Sequence, residues 1–337
     1  ALASGEASAR ENLRIVLTAM HGVGAAITSR VLAEAGFSNV SLVAAQTDPD
    51  PDFPTVPFPN PEEAGALDMA IEQAREEGAD LIIAVDPDAD RCALAVPDPA
   101  SEAGWSPLSG DQIGSLLGEF LAARGLDGSL ANSIVSSRLL ACIAREHGLA
   151  HHTTLTGFKW IARAPSLAFG YEEAIGFCPD PGNVRDKDGI ATSVVAASLV
   201  AVLKAQGRSV WDELERLARL HGLHVSSPLT FRVEQIEQIA SGMARLRAQP
   251  PSVLAGSPVV EVSDLSQGYR GLPPTDGVLV LTEAGDRVIA RPSGTEPKLK
   301  CYLEVILPVA EGEPLPWEQA HERLDAIKAA FAEIIGL

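Results

Sequence analysis

Cysteine is scarce in this 337-residue chain: the four, Cys92, Cys142, Cys178 and Cys301, lie far apart and form no Cys-x-x-Cys pair. That spacing excludes a disulfide framework and a thiolate zinc cage, and it makes a reducing, cytoplasmic setting the default expectation. Long apolar runs are also missing. None reaches the roughly 18 residues that a membrane span requires, and the first residues do not follow the pattern of a signal peptide. Basic side chains are few, with 26 Lys and Arg against 45 Asp and Glu, a formal charge of −19. Such an excess of negative charge argues against nucleic acid or an anionic membrane as partner. Any phosphate site must therefore be built locally, against the field of the whole molecule.

A chain of this length can bury a large core and divides into two or three domains. Its 46% hydrophobic and 21% charged residues are ordinary for a globular protein. The first eleven residues, Ala1 to Glu11, are small and polar and read as a linker or cut end. From Asn12 to Thr18 the pattern predicts a strand, followed by the turn His21-Gly22-Val23-Gly24 and a helix from Ala25 to Ala35. Strand, glycine turn and helix can cradle a phosphate. Ile27 stands where a dinucleotide fingerprint has its third glycine, so the turn reads better as a structural one. Six prolines between Gln46 and Glu63 predict an extended, stiff excursion. A helix from Leu67 to Glu77 then leads to the segment around which the chain is organised.

That segment is Leu81-Ile82-Ile83-Ala84-Val85-Asp86-Pro87-Asp88-Ala89-Asp90-Arg91. An apolar run of this length predicts a buried strand. Three carboxylates at alternate positions at its end repel one another unless a cation sits between them. Oxygen donors at this density suit magnesium, manganese or calcium. An EF-hand is excluded, because its sixth and twelfth positions would be Arg91 and Pro97 rather than Gly and Glu. A solvated acidic turn and an aspartyl-nucleophile phosphatase remain open on these letters alone.

Downstream, the pattern predicts helices at Asp111 to Arg124, Leu139 to His147 and Ile190 to Gln206, and strands at Ser133 to Ser137, His151 to Leu155 and Ser166 to Phe169. From Ser227 the texture changes: strands at Leu229 to Val233, Val259 to Val262, Val278 to Thr282, Arg287 to Ala290 and Leu299 to Ile306 are bracketed by helices at 234–248 and Trp317 to Ile335. The fold class expected is α/β: two consecutive α/β domains, each a mixed sheet flanked by helices, followed by a smaller α+β C-terminal domain. The expected boundaries are 12–125 for the metal-binding domain, 126–222 for the second and 223–337 for the third.

A second constellation is Arg291-Pro292-Ser293-Gly294-Thr295-Glu296-Pro297-Lys298-Leu299-Lys300. A guanidinium fork, two hydroxyls, exposed amides around a glycine and two lysines make an oxyanion site, and a plain polar hairpin is the alternative. Glu172 and Glu173 follow a strand and can accept hydrogen bonds from sugar hydroxyls. Lys187, between Asp186 and Asp188, is a candidate for proton transfer, although these carboxylates favour its charged form. Lys159, after Thr156-Gly157, is a weaker candidate. Of the histidines only His21 stands out.

Taken together, these motifs resemble the α-D-phosphohexomutase superfamily of phosphoglucomutases and phosphomannomutases. The likeness lies in the aspartate loop, in Thr156-Gly157, in Glu172-Glu173-Ala174-Ile175-Gly176, in Arg291-Pro292-Ser293-Gly294-Thr295-Glu296-Pro297, and in the proline-rich stretch with Phe53-Pro54-Thr55-Val56 and Pro59-Asn60-Pro61-Glu62. It runs from about residue 12 to 337 and matches the family's domains two to four. The Thr-Ala-Ser-His-Asn-Pro-like loop of the first domain, which carries the phosphorylated serine, has no counterpart: Ser136-Ser137-Arg138 and Ser101-Glu102 lack its context. The resemblance therefore implies a fragment lacking the N-terminal phosphoserine domain and inactive alone. The implied reaction interconverts hexose 1-phosphate and 6-phosphate through a phosphoserine and a hexose bisphosphate intermediate. Asp86, Asp88 and Asp90 would hold Mg²⁺, with Arg91 stabilising the transferring charge and Lys187 handling the proton. Thr156, Gly157, Lys159, Glu172 and Ala174 would meet the sugar, with Ala174 standing where many members have serine. Arg291, Ser293, Gly294, Thr295 and Lys300 would hold the non-reacting phosphate. The rival readings are the aspartyl phosphatase and a non-catalytic sugar-phosphate binding module.

Overall fold

The computed structural model describes residues 4–293 and 297–336. By backbone contacts the chain forms two compact units, one of residues 1–133 and 140–214, the other of 134–139 and 215–337.

The first unit opens with α1 (Ser4–Glu11), a helix where the sequence reads as a linker. It packs against the long helix α7 described below. Arg10 holds its end, donating to the Ala35 carbonyl at 2.8 Å and lying over the Phe37 ring. Then follow β1 (Arg14–Thr18), α2 (Ala25–Glu34), β2 (Asn39–Leu42), α3 (Asp68–Glu77), β3 (Leu81–Val85), β4 (Cys92–Pro97) and β5 (Trp105–Pro107). Their sheet has the order β2-β1-β3-β4-β5, with β1 parallel to β2 and β3, and β3 to β5 antiparallel. All five residues of β3 are buried, as expected of a continuous apolar strand at the centre of a covered sheet. β4 and β5 were not foreseen from sequence.

The second sheet of this unit is entered through α4 (Gly110–Ala122), whose start is fixed by a capping box between Ser109 and Gln112. Sequence reading placed this helix with the first domain; it packs on the second sheet, pressing Gly114 against the Tyr171 ring and Gly118 against Leu140. β6 (Ser129–Ser133), α5 (Leu139–Glu146), β7 (Ala150–Thr154), α6 (Phe158–Ile161), β8 (Leu167–Glu172) and β9 (Gly176–Cys178) give the order β7-β6-β8-β9, parallel except for the last pair. α7 (Gly189–Ala205) contacts β3, β4 and β9 and so joins the two sheets. α8 (Val210–His221) follows and leads from the first unit into the second.

One predicted strand is corrected. The strand expected at Ser133 to Ser137 is displaced: β6 ends at Ser133, and Ile134 to Ser137 lie outside any strand. Ile134 and Val135 bury instead against Leu265, Leu279 and Ile289 of the second unit, and Arg287 takes the carbonyls of Ile134 and Ser136 at 2.9 and 2.7 Å. Side-chain burial and a guanidinium have replaced the sheet ladder for this segment.

The second unit contains β10 (Leu223–Arg232), α9 (Ile236–Ala248), β11 (Val253–Leu254), β12 (Ser257–Asp264), β13 (Val278–Thr282), β14 (Arg287–Pro292), β15 (Lys298–Leu307) and α10 (Trp317–Ile335). The antiparallel sheet runs β10-β15-β14-β13-β12-β11. Alternation decides its faces: Val280, Val288 and Leu303 pack under Met243, Leu246, Leu324 and Phe331 of α9 and α10, while Leu279 and Ile289 face the other way.

Candidate functional site

Both sheets of the first unit reverse their winding at one point. In the first, α2 leads from β1 to β2 on one side and α3 returns to β3 on the other, so the crevice lies beyond the ends of β1 and β3. In the second, the same logic places it beyond β6 and β8. Such reversals are where open α/β sheets bind ligands. The aspartate loop and the Glu172-Glu173 turn occupy these two positions.

Asp86 leaves β3 almost fully buried, at 1% exposure. Arg91 folds back over it, its backbone N–H donating to Oδ1 at 3.0 Å and its Nε to Oδ2 at 2.6 Å. The return requires Ala89 to take the left-handed conformation, φ +59°. The result brings oxygens of Asp86, Asp88 and Asp90 within 4.8 Å of one another. Burial pushes the Asp86 carboxyl up, and the hydrogen bonds and charge of Arg91 oppose it. Burial also works against the Arg91 charge, but Asp86, Asp90 and Glu62 outweigh it and strengthen the guanidinium's hold on its proton. Three hard oxygen donors at one point, of which Asp88 is exposed, are a donor set that fits a small divalent cation.

The other loops close onto this one through backbone bonds. Arg91 bridges Gly176, Cys92 donates to the Ile175 carbonyl at 3.1 Å, and Gly189 donates to the Ala89 carbonyl at 3.2 Å. Glycine is needed where Gly189 meets the loop backbone, whereas at Gly176 the neighbours are flexible side chains. A Cβ on Gly189 would sit 2.4 Å from the Arg91 carbonyl oxygen, and one on Gly176 would sit 2.6 Å from Cδ of Lys187. Lys187 Nζ lies 2.8 Å from Asp90 Oδ2 and 6.0 Å from the centre of the Phe158 ring. Burial disfavours its charge, yet Asp90, Glu172 and Asp186 more than compensate, so Lys187 stays an ammonium. Glu172 is pushed up to about 7, first by burial and then by Glu173, against the pull of Lys187 and Arg91. Glu173 is held by the Ser133 hydroxyl at 2.9 Å.

The structure thus brings Asp86, Asp88, Asp90, Arg91, Glu172 and Lys187 into one cluster. Thr156 and Gly157, the latter at φ +99°, immediately precede Phe158 and reach the cluster's edge through it. Ala174 is partly exposed in the turn beside Glu172. Lys159 is exposed, its ammonium 6.0 Å from the Trp160 ring centre, and makes no described contact with the cluster. In the second unit Arg291 and Lys300 are directly paired across β14 and β15, so two like charges share one face. Ser293 N–H donates to the Lys298 carbonyl at 2.8 Å, closing the hairpin. Gly294 and Thr295 lie outside the described residues. Ser137 and Arg138 are committed to buried Glu304 at 2.8 and 2.6 Å, so Ser136-Ser137 is no phosphoacceptor loop. Phe158, Ser133 and Gly189 were not among the expected site residues, and Gly176 was read only as the end of the Glu172 motif.

Three family models match the chain. "Phosphoglucomutase/phosphomannomutase, alpha/beta/alpha domain II" covers residues 1–100, domain III of the same family 109–220, and its C-terminal domain 231–333. A Haemophilus influenzae protein named "Probable phosphomannomutase" is 46% identical over 295 residues, which are 87% of this chain and 60% of that protein. A Staphylococcus haemolyticus phosphoglucomutase is 36% identical over 320 residues, 88% of this chain and 58% of its own length. The chain therefore spans about 60% of the length of these relatives. Among solved structures, the open form of parafusin, a phosphoglucomutase from Paramecium, superposes with a TM-score of 0.71 at 18% identity, over 99% of this chain and 60% of that one. A phosphoglucomutase/phosphomannomutase family protein from Burkholderia thailandensis gives 0.67 at 19% identity, over 96% and 60%. These two show the fold.

Proposed function

Because the chain belongs to the phosphoglucomutase/phosphomannomutase family, we propose that it forms the metal- and sugar-phosphate-binding body of a mutase that interconverts hexose 1-phosphate and hexose 6-phosphate. The observation that carries this reading is the single cluster of Asp86, Asp88, Asp90, Arg91, Glu172 and Lys187. Asp86, Asp88 and Asp90 would hold Mg²⁺, which when bound neutralises charge developing on a transferring phosphoryl group. Arg91 keeps Asp86 aligned and adds positive charge at the same point. Glu172 accepts hydrogen bonds from the sugar hydroxyls, with Thr156 and Ala174 beside it. Arg291, Ser293, Thr295 and Lys300 take the phosphate that does not react.

In the transfer itself, a sugar hydroxyl oxygen bonds to the phosphorus of a phosphoserine and the serine oxygen leaves. Lys187 gives a proton from Nζ to that leaving oxygen, and the amine so freed takes the proton of the attacking sugar hydroxyl, which restores the ammonium; the reverse direction runs the same two transfers backwards. The bisphosphate formed then turns over and returns its other phosphate. The phosphoserine is supplied from outside these 337 residues, since none of their serines has the required context. Four cysteines without a disulfide suit a reducing compartment such as the cytoplasm.

Calorimetric titration with glucose 1,6-bisphosphate tests the reading. Affinity is expected to rise at least tenfold with Mg²⁺ over EDTA, and Asp88→Asn should abolish that gain. Affinity indifferent to both Mg²⁺ and Asp88 would overturn it. The purified 337-residue chain should also show no turnover of glucose 1-phosphate; robust conversion by it would contradict the external phosphoserine.

A further inference from the structure

The glycine turn after β1 is absorbed by no step of the reaction, yet it carries strained backbone of its own beside the aspartate loop, where Ala89 is left-handed too. Met20 and His21 are successive non-glycine residues at positive φ, +48° and +63°. Both are buried. Isolated left-handed residues are uncommon, and a pair persists only where the surroundings enforce it.

What enforces it is a buried chain of polar side chains. Thr18, the last residue of β1, accepts from the Met20 N–H at 3.0 Å and donates its hydroxyl to Gln46 at 2.6 Å. The Gln46 amide donates to Thr55 at 2.9 Å, and Thr55 lies 2.9 Å from His21 Nε2. The His21 backbone is fixed too, donating to the Gln46 carbonyl and accepting from Asp50, both at 3.0 Å. The proline-rich excursion therefore supplies the partners that hold the turn.

The turn in turn bears on the aspartate loop. A Cβ on Gly22 would fall 2.3 Å from Cα of Pro87, and one on Gly24 would fall 2.8 Å from Cβ of Ala89 and 2.9 Å from Cγ2 of Val85. The N–H of Val23, between them, donates to the Pro87 carbonyl at 2.9 Å. Pro87 separates Asp86 from Asp88, and Ala89 separates Asp88 from Asp90, so both residues that space the carboxylates rest on this turn.

We propose that His21-Gly22-Val23-Gly24 is a positioning element for the aspartate loop, setting the spacing of the three carboxylates through Pro87 and Ala89. His21, Gln46 and Thr55 lock it from behind. The proposal rests on reading the loop as a cation site, and its test separates the two. Amide hydrogen exchange of residues 86–91 and Mn²⁺ affinity, followed by electron paramagnetic resonance, are measured on the whole chain carrying Gly22→Ala, His21→Ala, His21→Gln or Thr55→Val. Gly148→Ala is the control, because Gly148 also has positive φ but open space around it. Gly22→Ala and His21→Ala should speed exchange at the Arg91 amide and weaken Mn²⁺ binding tenfold or more. His21→Gln should recover part of both effects, Thr55→Val should give an intermediate loss, and the control should change neither. Should Gly22→Ala not fold, the His21 and Thr55 variants carry the test. Exchange at residues 86–91 unchanged in the His21 and Thr55 variants, or changed equally in the control, overturns the proposal. Failure of the unsubstituted chain to bind Mn²⁺ overturns the cation reading, and hydrogen exchange still decides whether the turn positions the loop.

Discussion

At the scale of single residues, the site is a balance between burial and compensation. Glu172 is the clearest case: its pKa of about 7 exceeds the ordinary 4.5, so the folded state binds its proton more tightly than the unfolded chain. Stability from this group is complete below about pH 4.5 and lost as pH rises through 7. Glu172→Gln should therefore gain stability relative to the unsubstituted protein at pH 8 but not at pH 4.5, with a ceiling on the order of 3 kcal/mol from the shift. Urea melts of both proteins at the two pH values check this. Lys187 is raised as well, because Asp90, Glu172 and Asp186 outweigh its burial, so its contribution is likewise lost only as pH rises, and removing its ammonium leaves Asp90 without its 2.8 Å partner. If Lys187 transfers the proton as proposed, Lys187→Met should lower the proposed mutase activity by a factor of about 10²–10⁴, the range for a lost proton-transfer group. Steady-state rates with and without the substitution would show it.

Between residues and the molecule lie the elements, and here the segment Ile134–Leu139 is instructive. It follows β6 of the first unit but belongs to the second, held by Arg287 and by Glu304. Glu304 is fully buried on β15 and accepts from Ser137, Arg138 and His224. Despite burial, the cationic and hydrogen-bonding neighbours hold its carboxyl well below the usual range. Its contribution is present above about pH 4.5 and lost as pH falls through the depressed value. Glu304→Ala should cost about 3–5 kcal/mol at pH 7, because it leaves buried guanidinium groups uncompensated. Chemical denaturation of the second unit's tryptophan, Trp317 on α10, reports it.

The same segment shows why some elements were legible and others were not. β3 could be read because a strand buried on both faces needs only an uninterrupted apolar run. α10 could be read to its last residue because one face of it covers a sheet. Ser133 to Ser137 misled because β-branched residues prefer a pleated surface, yet the force that places Ile134 and Val135 is a core formed over a hundred residues later. The aspartates, Arg91, Glu172 and Lys187 announced themselves by chemical type. Their convergence did not, because it depends on Gly189 letting its backbone approach the aspartate loop, and on a topological reversal that no local pattern encodes. The link from Thr55 to His21 lay hidden for the same reason.

For the whole molecule, charge and division into units set the behaviour. A formal charge of −19 makes the folded state repel itself, and salt screens that repulsion within about 10 Å at 0.1 M. The melting temperature should rise by a few degrees between 20 and 200 mM NaCl, and Mg²⁺ should raise it further at equal ionic strength through the aspartate loop. Scanning calorimetry distinguishes the two effects, since only the second disappears in Asp88→Asn. The reading as a whole stands on one cation held by three aspartates beside a sugar-binding glutamate. Anomalous diffraction from crystals grown with Mn²⁺ and glucose 1,6-bisphosphate tests that most directly. The predicted result is a single manganese peak coordinated by Asp86, Asp88 and Asp90, with sugar hydroxyls on Glu172. A map with no peak there at saturating Mn²⁺, or with the metal elsewhere, would contradict it.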